Sequence, residues 1–102
     1  MMKIRFLKIA QFELDDTVEY YNVESLGLGY SFLREVFAAI DRIKEFPEAW
    51  QPFHMGTRRC LVRRFPYGVI YKHIDELILI VAIANLHRKP DYWINRLIAK
   101  RP

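Results

Sequence analysis

The chain is poor in the residues on which the simplest functional readings rest. It has one cysteine, Cys60, in 102 residues. No intramolecular disulfide framework can form, and a reducing compartment is the expected setting. Nothing around Cys60 would depress its pKa, so it reads as a small buried hydrophobe rather than a nucleophile. The four glycines include Gly27 and Gly29, but no Gly-Lys-Ser/Thr follows them, which excludes a phosphate-binding loop. His54 has no second ligand at metal spacing, so neither a metal nor a cofactor is expected. The longest apolar run, Leu77 to Ala84, has eight residues, far short of the ~20 that span a bilayer. No basic N-terminal region precedes an apolar core. We therefore expect no signal peptide, no membrane association and a cytoplasmic protein.

What is present is a core. The chain is 52% hydrophobic and 15% aromatic, enough for a single domain over residues 1–102. Charge is divided along it. Residues 1–57 carry six Lys/Arg against nine Asp/Glu, a net of −3, and residues 58–102 carry ten against three, a net of +7. Such polarity suits a nucleic-acid or acidic-protein partner; a solvated basic face without a partner is the alternative.

Lys3 to Lys8 alternates and predicts a short strand, basic on one side. Ile9 to Ser25 predicts a helix with Ala10, Leu14, Val18 and Tyr21 on its apolar face. Glu13, Asp15, Asp16 and Glu19 lie mostly off that face and read as solvated charge, since no pocket is at hand to separate their pKa values. Leu26 to Gly29 breaks the pattern and predicts a turn. Tyr30 to Glu45 predicts a second helix with a Leu33, Val36, Phe37, Ile40, Ile43 stripe, ended by Phe46-Pro47. Glu48 to Thr57 reads as a loop anchored by Trp50 and Phe53.

A three-stranded meander follows: Arg58 to Arg64, Tyr67 to His73 and Leu77 to Asn85, with turns at Phe65-Pro66 and Asp75-Glu76. Tyr67, Val69, Tyr71 and His73 share one strand face, with Gly68, Ile70 and Lys72 on the other. The unbroken apolar run makes Leu77 to Asn85 the central strand. Pro90 suits the first turn of a closing helix carrying Tyr92, Trp93, Leu97 and Ile98, with Lys100 and Arg101 near its end. The expected fold class is α+β: a helical hairpin packed on a four-stranded, mostly antiparallel sheet in the order β-α-α-β-β-β-α.

Element order, Arg64-Phe65-Pro66-Tyr67 with Tyr71 four residues on, and Ala82-Ile83-Ala84 leading into His87-Arg88-Lys89-Pro90-Asp91-Tyr92-Trp93 together resemble the RelE/ParE superfamily. These are the toxins of bacterial type II toxin–antitoxin systems, often described as plasmid stabilisation proteins. The resemblance covers nearly the whole chain and is closer to the ParE-like branch, through the Arg-Phe-Pro-Tyr turn and the Pro-x-x-Trp ending. It implies a toxin that inhibits DNA gyrase and is neutralised by a cognate antitoxin, with no catalytic residue required. The homodimer and the toxin–antitoxin heterotetramer are the assemblies expected.

The second reading is a RelE-like endoribonuclease acting on messenger RNA at the ribosome. Its candidate catalytic residues are Arg59, Arg63, His87, Arg88 and Tyr92, with cations stabilising phosphate charge and a base deprotonating the ribose hydroxyl. A third is a non-toxic relative that binds only its antitoxin. Against the second reading, Gly68 stands where an RNA-cleaving member has arginine, and Leu61 where it has lysine. Asn85 stands where many relatives have histidine, and it cannot titrate. His87, two residues on, faces the same side if the chain stays extended. Residues expected to contact target or antitoxin are Arg59, Arg63, Arg64, Tyr67, Tyr71, Asn85, His87, Arg88 and Trp93. The bland alternative makes Phe65 and Tyr71 core residues and Trp93 a lid over the sheet.

Overall fold

Leu77–Asn85 forms the strand the rest is built on. In the computed structural model, which describes residues 1–98, this strand, β5, has neighbours on both sides. β1 (Lys3–Phe6) runs parallel to it on one side, and β4 (Tyr67–Ile74) antiparallel on the other. β3 (Arg58–Leu61) and a two-residue β2 (Gln51–Pro52) extend the sheet beyond β4. The order across the sheet is β1-β5-β4-β3-β2. The class is the expected α+β. The sheet gains a fifth, very short strand from the segment that reads as a loop, because Gln51 and Pro52 pair with Arg59 and Arg58.

The hairpin of α1 (Lys8–Glu24) and α2 (Leu28–Glu45) covers one face. Leu14, Phe32, Val36 and Ile43 pack there against Val69, Tyr71, Ile78, Ile80 and Ile83. The turn between the helices is shorter than its composition suggests, and Gly29 already belongs to α2. Its backbone N–H donates to Asn22 Oδ1 at 2.7 Å. A Cβ at Gly29 would lie 2.0 Å from the Val18 carbonyl oxygen, so no side chain fits at this crossing. The buried stripe of α2 is also rotated from the expected one. Phe32, Val36, Ala39 and Ile43 face the sheet, while Phe37 is exposed. The small Ala39 lets the helix approach the sheet, where the Cys60 thiol lies against the Ala39 carbonyl. Burial pushes the Cys60 pKa up, as suits a buried hydrophobe.

β5 is buried on both faces, as its unbroken apolar run predicts. The second cover is the C-terminal segment: Trp93, with Tyr92 and Leu97, packs over Ile70, Val81, Ala82 and Ala84. A bulge apportions β5 between the two covers. Ile70 pairs with Ala82 but Tyr71 pairs with Ile80, leaving Val81 as the extra residue. Ile80 and Ile83 therefore both meet the helices, while Val81 and Ala82 both meet the C-terminal cover.

Two expected elements are shorter in the structure. β3 stops at Leu61 because the Val62 N–H already closes the turn onto the Tyr67 carbonyl, with Arg64 at φ 70°. The expected closing helix is a series of tight turns ending in a 3-10 turn, Ile94–Leu97. Its backbone bonds span three residues, as in Tyr92 to Lys89, Ile94 to Asp91 and Arg96 to Trp93. That spacing sets Trp93 and Arg96 over the same part of β5. Lys100 and Arg101 lie outside the described residues. Among the described residues, no helix is long and apolar enough to cross a membrane.

Candidate functional site

The sheet face opposite the helical hairpin ends, beside the turn after β5, in a narrow cleft of about 30 Å³. Phe53, Arg59, Asn85, Arg88, Lys89 and Tyr92 line it. Three cations and two rings thus meet where β3, β5 and the C-terminal turns converge. Arg59 points to this face because Cys60, its neighbour on β3, is buried on the other. Its guanidinium lies 4.9 Å from the Phe53 ring centroid and donates to Gln51 Oε1 at 3.0 Å. Its Nε is buried and has no hydrogen-bond partner among the described residues. Arg88 is exposed and lies 3.8 Å from the Tyr92 ring centroid.

Arg63 is exposed and shares a second, open groove with Arg59, Arg42 and Leu61 at the edge of the sheet. Arg64 does not join this surface. It turns to the hairpin side, 3.9 Å from the Glu35 carboxylate and 6.0 Å from the Phe65 ring. Tyr67 is half-buried on the helix face, with its ring 5.0 Å from that of Phe32. Its hydroxyl oxygen accepts from Asn85 Nδ2 at 3.4 Å.

Three expected contact residues lie in surroundings that a free strand face would not give them. Tyr71 is fully buried, donates its hydroxyl to the Pro47 carbonyl and has its pKa pushed up, chiefly by burial. Trp93 is fully buried too. It donates Nε1–H to the Pro90 carbonyl at 2.9 Å and stacks on Phe53 at 5.9 Å. Both side chains support the surface and are not part of it. His87 does not continue the line of Asn85, because the chain turns at once. The Arg88 N–H donates to the Asn85 carbonyl, and Asn85 Oδ1 accepts the His87 N–H at 2.8 Å. The Asn85 side chain is thus a turn-former, and the exposed His87 ring lies off the line of the strand.

The residue that organises this end of the molecule is one that its sequence context disguises. Glu13 reads as part of the solvated acidic run on α1, yet its side chain is only 16% exposed. It pairs bidentately with Arg96, 13% exposed, through Nη1–Oε1 and Nη2–Oε2 contacts of 2.8 Å each. Glu13 also accepts the Tyr92 hydroxyl at 2.6 Å and the Ile83 N–H at 3.0 Å. The Tyr92 pKa is pushed up, first by burial and then by this bond to a carboxylate. The only signal in the sequence is position: Glu13 immediately precedes Leu14, at the border of the apolar face of α1.

The ParE toxin model of type II toxin–antitoxin systems (parDE) matches residues 4–92. The chain belongs to the ParE toxin family. It is the toxin-type component of such a system. A solved structure of a chromosomal ParDE toxin–antitoxin system from P. aeruginosa has the same fold, with a TM-score of 0.76 over 85% of this chain and 98% of that one. Identity across that match is 18%. Comparison with curated protein sequences finds no match.

Proposed function

We propose that this ParE-family chain inhibits DNA gyrase by holding it, and that a cognate antitoxin neutralises it in the cytoplasm. The observation that carries the reading is the state of Tyr92, the ring nearest the exposed Arg88. Its hydroxyl already donates to Glu13, and its pKa is raised. A phenol so held is a poor proton acceptor for a ribose hydroxyl. Leu61 and Gly68 place no charge on β3 and β4 where the resemblance to RNA-cleaving relatives calls for it. Arg59 and Arg88 rest on rings, a geometry that suits gripping a protein surface. The exposed apolar side chains of the hairpin, among them Phe12, Val23, Leu26 and Tyr30, suit an antitoxin segment that folds on binding.

Expression of the chain without its antitoxin tests this. Growth arrest with relaxed plasmid DNA, and loss of supercoiling by purified gyrase, are the expected results. Transcripts cleaved on ribosomes, with gyrase unaffected, would replace this reading with the endoribonuclease.

A further inference from the structure

We infer that Glu13 is the positioning residue of the cationic edge: through Tyr92 it sets the place of Arg88. The inference rests on the proposed target-holding role for its consequence, but not for its geometry.

Both carboxylate oxygens of Glu13 are saturated. Oε1 accepts from Ile83 N and Arg96 Nη1, and Oε2 from the Tyr92 hydroxyl and Arg96 Nη2. Four donors fill the acceptor sites a carboxylate has. They come from β5 and from the C-terminal segment, whereas Glu13 itself sits on α1. The need for such a group arises in the sheet. β1 pairs with β5 only as far as Phe6 opposite Ile80, and Leu7 N–H closes on the Ile80 carbonyl. Among the described residues, no strand lies beside the β5 edge past that point. Glu13 takes the Ile83 N–H, and Arg96 Nη1 takes the Val81 carbonyl at 3.0 Å. The ion pair thus serves the β5 backbone where β1 has run out.

The consequence for Arg88 follows along the side chains. The Tyr92 hydroxyl is fixed at one end by Glu13, and its ring carries Arg88 at 3.8 Å. Arg88 is exposed, so its guanidinium is the part of this chain of contacts that a partner meets. A long side chain already held on a ring loses less freedom when it is bound. Glu13 touches no partner in this scheme. It acts through the ring.

The test reads Arg88 directly. In the folded protein, the Arg88 side-chain protons shift upfield in the NMR spectrum, because they lie over the Tyr92 ring. Glu13→Gln, and separately Tyr92→Phe, which removes only the hydroxyl, should move those resonances toward random-coil positions while the near-ultraviolet dichroism of buried Trp93 persists. In the gyrase assay each variant should inhibit about tenfold less well, as expected for one side chain left to be ordered on binding. Neither should reduce inhibition further in an Arg88→Ala background. Resonances that stay put in folded variants overturn the inference, as do losses that add to that of Arg88→Ala. Collapse of the Trp93 signature in both variants also overturns it, making Glu13 a residue of stability alone. Should wild-type protein leave gyrase untouched, the target assignment fails, while the resonance shifts still decide the role of Glu13.

Discussion

Arg59 lies across Gly68. A Cβ at Gly68 would come within 3.1 Å of Arg59 Cγ and 3.2 Å of Cδ. At Gly68 this chain has a bare backbone that serves as the floor for a neighbouring cation. The flat path over Gly68 brings the Arg59 guanidinium to Phe53 and Gln51.

Gly68→Ala should therefore separate stability from function. Alanine in a strand gains about 0.5–1 kcal/mol over glycine. Tilting Arg59 off Phe53 forfeits a cation–π contact of similar size, ~0.5–1 kcal/mol. The two effects offset, so urea unfolding should stay within about 1 kcal/mol of wild type. Inhibition of gyrase should fall, as it should for Arg59→Ala. Full inhibition by both variants would remove Arg59 from the interface.

Trp93 tests the packing that supports the surface from beneath. As a fully buried cover over Ile70, Val81 and Ala82, its truncation to alanine should cost about 3–5 kcal/mol, measured by urea denaturation. Its near-ultraviolet dichroism disappears with it, and the C-terminal turns should exchange their amide protons faster. A loss under about 1 kcal/mol would mean that Trp93 is a surface residue after all.

Alkaline pH should unfold the protein through its buried phenols. Burial is the first cause that raises the pKa of Tyr71, of Tyr92 and of the half-buried Tyr21 above the ordinary value. The unfolded chain releases those protons at about pH 10, before the folded one does. The stability these groups contribute is therefore complete below about pH 10 and is lost as pH rises from there through the folded-state pKa. Absorbance of tyrosinate at 295 nm, followed beside far-ultraviolet dichroism, should show one class of tyrosines ionising only as the structure melts. Tyr92→Phe should shift that melting to higher pH. An unchanged midpoint would mean that Tyr92 ionises without unfolding the chain.

Period and punctuation made the architecture legible. The eight-residue apolar run marked β5 as an interior strand, Pro47 the end of α2 and Asp75-Glu76 the turn before β5, while Phe65-Pro66 placed the start of β4 but set the end of β3 three residues too late. The meander and both helices follow from them. Less legible was anything decided by packing between distant segments. Phe37 fits the helical stripe as well as Phe32 does, and only the close approach of α2 at Ala39 selects between them. The bulge at Val81 is invisible in an unbroken apolar run. At the site, Arg59 and Arg88 could be read from their place in the strands and turns, but Glu13 could not. Its neighbours Asp15 and Asp16 are exposed, and its donors lie 70 to 83 residues away in the chain. A single helical period carries no record of them.

The same distance makes the Glu13–Arg96 pair a sensitive probe of the whole C-terminal cover. Glu13→Ala strands the Arg96 charge and leaves the Ile83 N–H without its partner, so it should destabilise the protein by about 3 kcal/mol, the scale for breaking a largely buried pair. Arg96→Met strands the carboxylate and should cost a similar amount. Replacing both, as Glu13→Leu with Arg96→Met, removes the stranded charges together and leaves the Ile83 N–H, the Val81 carbonyl and the Tyr92 hydroxyl to be satisfied by water. The double variant should then lose less than the sum of the single ones, with a coupling of at least 1 kcal/mol in urea denaturation. Because both side chains are mostly out of solvent, that coupling should persist in 0.5 M salt, where an exposed pair would be screened at the ~10 Å Debye length of 0.1 M salt or less. Additive losses, or a coupling abolished by salt, would place the pair on the surface and detach the C-terminal segment from α1.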